Sequence, residues 1–164
     1  MPLIKQGAEA ENPWVFSEDG SGLDTAGPVS VPLAVLQAET DRLLQRNAPV
    51  GVRLIPDDDP AALADHLSAL SLVEVSFPKY TDGRGYSQAQ LLRRRYGYAG
   101  ELRAVGHVLR DQILYMHRSG FDAFETERAD LPNVLNALAE FSAFYQRAAD
   151  GAQPVFAARR ATGA

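Results

Sequence analysis

From residue 49 onward, short apolar runs alternate with amphipathic stretches, a pattern that few folds accommodate. Val50 to Ile55, Leu72 to Phe77, Glu101 to Val105 and Phe121 to Glu125 read as strands. Asp59-Pro60 opens a predicted helix carrying Leu63, Leu67 and Leu70 on one face. A second helix follows the loop at Gly83-Arg84-Gly85 and runs through Tyr96, with Gly97 as its stop. A third spans Val108 to Arg118 and stops at Gly120. Asp130 with Pro132 starts a fourth, bearing Val134, Leu138, Phe141 and Tyr145. Four consecutive strand–helix units predict right-handed crossovers and a mainly parallel sheet, hence an α/β fold. Such a set is half of an eight-fold barrel or most of an open doubly wound sheet, and periodicity leaves both open.

The 164 residues are read as one domain. Residues 1–28 form an extension, with a hairpin built from Leu3-Ile4 and Trp14-Val15-Phe16 and a loop through Gly20-Ser21-Gly22. Residues 29–146 form the α/β core. It opens with a helix that has Pro32 in its first turn and Leu33, Leu36, Leu43 and Leu44 at helical spacing. Residues 147–164 are a tail, with one strand at Val155-Phe156-Ala157-Ala158 or none.

Composition removes several classes of function. A hydrophobic content of 46% is ample for a core, and a net charge of −5 argues against a general nucleic-acid binder. The basic cluster Arg93-Arg94-Arg95 lies on a helix and splays around it. With no cysteine in the chain, disulfides, thiol nucleophiles and cysteine-ligated clusters are excluded. No apolar leader or membrane-length run is present, so no membrane partner is expected and the cytoplasm is the expected compartment. His66, His107 and His117 lack metal-ligand spacing, so no metal is predicted. No nucleotide or flavin fingerprint appears, which leaves any cofactor unknown.

In either architecture ligands belong at the carboxyl ends of the strands. The loops there start near Pro56-Asp57-Asp58-Asp59, Pro78 to Ser87, Gly106-His107 and Glu125-Thr126-Glu127. Gly83, Arg84 and Gly85, followed by Tyr86 and Ser87 at a helix start, could present backbone N–H groups and a guanidinium to one small anion. Against that, Ser87-x-x-Gln90 reads as a capping box, and Asp82 could simply pair with Arg84. Asp82 and His107 are the candidate proton carriers. Glu74 and Arg103 occupy the polar faces of adjacent strands, as a structural ion pair or as the lining of a cavity. Gln112 interrupts the apolar stripe of the third helix, beside Asp111, and is expected to clamp a neighbouring loop or touch a ligand.

Three stretches carry a resemblance: Phe77 to Arg93, Gly100 to Gln112, and Arg118 to Phe124. They resemble a bacterial family of unknown function whose members are commonly labelled oxidoreductases of sulfite reduction. The family pattern has Asp where this chain has His107. Arg84, Arg103 and Asp111 match its motifs, without assigned roles. The resemblance implies an accessory protein of assimilatory sulfite or sulfate reduction, binding a small anion at Asp82-Gly83-Arg84-Gly85. The alternatives are a small enzyme acting on an anionic substrate and a module that docks onto an enzyme of that pathway without ligand chemistry. The open sheet edges of a half-barrel also allow a homodimer.

Overall fold

Side-chain character, apolar on one side and charged on the other, separates two faces of one sheet, and both faces are largely buried along the central strands. A computed structural model describes residues 2–21, 23–125, 136–138, 141 and 143–157. Its strands are β1 (Leu3–Lys5), β2 (Ala8–Ala10), β3 (Val15–Phe16), β4 (Val29–Pro32), β5 (Val50–Leu54), β6 (Leu72–Phe77), β7 (Glu101–Gly106) and β8 (Ala123–Glu125). The helices are α1 (Leu33–Ala38), α2 (Thr40–Leu44), α3 (Arg84–Gln90) and α4 (Arg110–Ser119). The strands form one sheet in the order β2-β1-β8-β7-β6-β5-β4-β3. Every pair from β3 to β8 is parallel, and β1 and β2 close one end antiparallel. The order never reverses, so there is no switch point of a doubly wound sheet. The half-barrel alternative is the one adopted.

Val73, Val75 and Phe77 share one face of β6 with Val52 and Leu54 of β5 and Leu102 and Ala104 of β7, all buried in the core under the helices. A Cβ on Gly85 would lie 2.6 Å from the Phe77 ring and 3.0 Å from Val75. The missing side chain therefore lets α3 settle onto the sheet. Arg53, Glu74 and Arg103 occupy the other face.

That second face is crossed by residues 11–14, which join β2 at one edge to β3 at the other. From Ala10 to Val15 the chain can reach at most roughly 18 Å. Eight strands laid flat would put those edges about 34 Å apart. The sheet is therefore curled, with the N-terminal segment strapped across its concave side. Trp14 packs there, 3.1 Å from where a Cβ of Gly51 would sit.

Several sequence expectations are corrected. The hairpin partner of Leu3–Lys5 is Ala8–Ala10, turned at Gln6 and Gly7 with φ of 52° and 76°. Val15–Phe16 instead pairs with β4, a strand hidden in the sequence because Ser30 and Pro32 interrupt it. Asp59 caps only a 3₁₀ turn, Pro60–Leu63, and residues 64–69 continue as turns. Leu63, Leu67 and Leu70 are nevertheless buried, so the apolar spacing reports burial without an α-helix. The second helix ends in a π-helical turn, Leu91–Arg95, and Gly97 stops it at φ 66°. The third helix begins at Arg110, two residues later than expected. The start of the fourth helix, Asp130 to Val134, lies outside the described residues. Ala137 and Leu138 are helical, but Phe141 and Phe144–Tyr145 are not, and Phe144 bridges Pro154. Val155–Ala157 are helical rather than extended, and Ala158 lies outside the described residues.

Candidate functional site

At the carboxyl end of β5 and β6, Arg84 draws two loops together. Its Nε donates to Asp82 Oδ1 at 3.0 Å, its Nη2 to Asp82 Oδ2 at 2.7 Å, and its Nη1 to Asp57. Asp82 Oδ1 also accepts the Arg84 backbone N–H at 3.1 Å. These bonds from Arg84, side chain first, hold the Asp82 carboxyl below the usual carboxylate range, and those carboxylates hold the Arg84 guanidinium above its own. An acid kept ionised in this way is poorly matched to proton transfer near neutral pH.

Gly83 precedes the first residue of α3, and Ser87 is exposed one turn inside it, so Ser87 caps nothing. Tyr86 is half-buried edge-on against Phe77, with ring centroids 5.6 Å apart. Burial, then the charge of Asp111, pushes its hydroxyl pKa up. Asp111 is exposed in the first turn of α4. Gln112 is the loop clamp: its Nε2 donates to the Tyr80 carbonyl at 2.8 Å. Gln88, overlooked in the sequence, does the same for the neighbouring loop, with Nε2 2.8 Å from both the Ile55 and Asp58 carbonyls. His107 is exposed just past Gly106, and its backbone N–H donates to Phe77 O at 2.8 Å.

The structure thus gathers Asp82, Arg84, Tyr86, Asp111 and Gln112 around the loops at the ends of α3 and α4. It moves Arg103 elsewhere. That side chain is fully buried on the concave face, opposite Glu74 in register. The sequence pairing of the two is present at 3.8 Å, but their nearer partners differ. Arg103 Nη2 lies 2.5 Å from Glu101, and Arg53 Nε lies 3.0 Å from Glu74. Arg103 Nη1 donates to Asn12 Oδ1 at 2.9 Å, and Phe16 covers the Arg53 guanidinium at 3.7 Å. Asn12 of the strap and Phe16 of β3 therefore complete the surroundings of the two arginines. The face is a structural network of paired charges, the form in which buried charge is tolerated.

Arg93, one member of the basic cluster, has a structural role that the sequence does not signal. It donates to the carbonyls of Tyr98, Gly100 and Gly120 and to Asp122 at 2.6–2.9 Å. A Cβ on Gly120 would lie 2.5 Å from its stem. Its neighbours Arg94 and Arg95 are exposed, so one of three consecutive arginines is structural. Nothing local distinguishes it.

Exposed aromatic rings collect on the C-terminal segment. Phe141, Tyr145 and Phe156 are 56%, 78% and 42% exposed. Phe141 lies against Phe144 and Tyr145 against Phe156, each pair with centroids 6.3 Å apart. Arg118 stacks on Phe144 at 3.8 Å. Among the described residues no group of three or more His, Asp or Glu side chains could hold a metal ion, and no helix is long and apolar enough to cross a membrane.

Residues 51–156, more than half of the chain, match the family described as bacterial protein of unknown function (DUF934). No curated protein matches the chain.

Proposed function

The chain belongs to this bacterial family of unknown function, and from that premise we propose that it is an accessory protein of sulfite or sulfate reduction that acts by docking. Its partner in this reading is an enzyme of that pathway. The observation that carries it is the set of exposed aromatic rings at Phe141, Tyr145 and Phe156, with Phe141 tilted against Phe144 and Tyr145 edge-on to Phe156. Aromatic side chains are enriched at the centres of protein interfaces and among the residues that dominate binding energy. The pathway assignment is supported by the resemblance of the Phe77, Gly100 and Arg118 stretches. The loop at Arg84 weighs against small-molecule chemistry there, because its donors are already occupied by two carboxylates.

The test is a binding measurement between the purified protein and sulfite reductase, followed by the same measurement with Tyr145→Ser and Phe141→Ser. Saturable binding that weakens at least tenfold in either variant supports docking. Absence of binding to the reductase and to the sulfate-activating enzymes removes the pathway reading. Self-association in light scattering, lost in the same variants, would make the patch a homodimer contact instead.

A small anion at Arg84 would have to displace Asp57 and Asp82. A thermal-shift comparison of wild type and Arg84→Ala with sulfite, sulfate and phosphate examines that second reading directly. A midpoint rise in wild type alone would favour it over docking.

A further inference from the structure

The C-terminal segment that carries the exposed rings also folds around a cavity of about 260 Å3. Small-molecule sites span roughly 300–1,000 Å3, and below that range there is room for one or two side chains. Its walls include Arg147, Gly151, Ala152, Pro154 and Ala157. Ala157 follows Phe156 in the chain, and Phe156 lies edge-on to Tyr145. The cavity and the rings therefore share one short stretch of chain.

That stretch is anchored to the end of α4. Arg118 donates from Nη2 to the Gln146 carbonyl at 2.7 Å and pairs through Nη1 with Asp150 at 3.3 Å. Its own carbonyl accepts the Ala149 backbone N–H at 2.9 Å. The Val155 N–H donates to the Phe144 carbonyl at 2.8 Å and closes the loop from its other side. A surface ordered before a partner arrives loses less freedom on binding.

The charge at the cavity is what these bonds leave over. Asp150 is the one acidic residue in 141–164, a stretch with three arginines in a chain of net charge −5. Its side chain is only 3% exposed and is taken by Arg118 and by the Ala152 backbone N–H. Arg147 is exposed, lines the cavity and has no carboxylate partner among the described residues. A guanidinium at the rim of a small, mostly apolar hollow suits a carboxylate that neighbours an apolar side chain.

We infer that the partner docks through a linear segment in which acidic residues flank an apolar one. A carboxylate meets Arg147, and the apolar side chain enters the cavity. This rests on the docking reading and adds the partner's chemistry to it.

The experiment is fluorescence polarisation of the full chain with a labelled peptide that alternates aspartate with leucine and phenylalanine. The same peptide with asparagine in place of aspartate is the uncharged control. The acidic peptide is expected to bind saturably, and the asparagine peptide about tenfold more weakly. Arg147→Gln should erase that difference, whereas Tyr145→Ser should weaken both peptides alike. Arg147 is exposed, so its replacement leaves the fold intact. The inference is overturned by no binding of the acidic peptide, by equal binding of the two peptides, or by a preference that survives in Arg147→Gln. Tighter binding of a single-stranded oligonucleotide than of the acidic peptide would overturn it as well. Repeating the sulfite reductase measurement with Arg147→Gln separates the two claims. An interaction weakened by Tyr145→Ser and untouched by Arg147→Gln keeps docking and removes the acidic segment. Peptide binding as expected, without any binding of the reductase, keeps the acidic segment and removes only the pathway.

Discussion

Replacing Arg93 with Met keeps most of the aliphatic stem that packs on Gly120 and removes the guanidinium. Four bonds disappear, to the carbonyls of Tyr98, Gly100 and Gly120 and to the Asp122 carboxylate. The Arg93 side chain is only 15% exposed, so its partners regain water incompletely. Leaving buried polar groups unpaired costs about 1–3 kcal/mol each, and breaking a buried pair costs about 3–5 kcal/mol. Asp122 is partly exposed, which lowers the estimate to about 3 kcal/mol in total. For a chain of this length that is a fall of about 6–12 °C in melting temperature.

The loss should depend on pH. Burial pushes the Asp122 carboxyl up, and Arg93 partly counters it. The folded state therefore holds that proton more tightly than the unfolded chain. Stability falls as pH rises through the raised folded value, and Arg93 offsets part of the fall. Without Arg93, the penalty of ionised Asp122 is fully felt at neutral pH and disappears once the carboxyl is protonated. Urea unfolding of wild type, Arg93→Met and Arg94→Met at pH 7 and at pH 4 measures both effects. Arg94→Met should lie within about 0.5 kcal/mol of wild type. Equal midpoints for Arg93→Met and wild type, or a deficit in Arg93→Met that grows on acidification, would refute the reasoning.

Gly106→Ala should cost about 2 kcal/mol in urea unfolding, because φ is 94° and the new Cβ would sit 2.7 Å from the Phe77 carbonyl oxygen. Asn12→Ala strips Arg103 Nη1 of its 2.9 Å acceptor. It should lower stability by about 1 kcal/mol and speed hydrogen exchange in β3 more than in β6. NMR titration of Asp82 should find its carboxyl ionised below the usual range, returning toward that range in Arg84→Ala. Because the folded value is the lower one, the Asp82–Arg84 contribution is present above the unfolded carboxylate pKa and is lost as pH falls through the folded one.

Periodicity and glycine stops are local signals, and what they predicted was the middle of the molecule. The strands at Val50, Leu72 and Glu101 and the helix ends at Gly97 and Gly120 were legible without a structure, and a loop clamp was one of the two readings offered for Gln112. Each depends on residues close in sequence or on an apolar pattern that any buried strand or helix must show. The candidate site was legible only as a list of loops. That Arg84 is shared between Asp82, two residues away, and Asp57, 27 residues away, depends on how β5 and β6 align. Arg103 met the carboxylates of its own face and Asn12 of the strap, a residue 91 positions earlier. Arg93 turned inward while its two neighbours did not. The short strands β3 and β4 had too few residues, with Ser and Pro among them, to show a pattern. Curling of the sheet, and the strap that fills its concave side, followed from joining the two edge strands by four residues. These are long-range pairings, and no window of sequence holds both partners. Residue spacing determined the central strands and where the helices would stop, and it offered the Asp82–Arg84 and Glu74–Arg103 pairs; tertiary structure decided the partners that lie far apart in the chain, because only the fold brings them within reach.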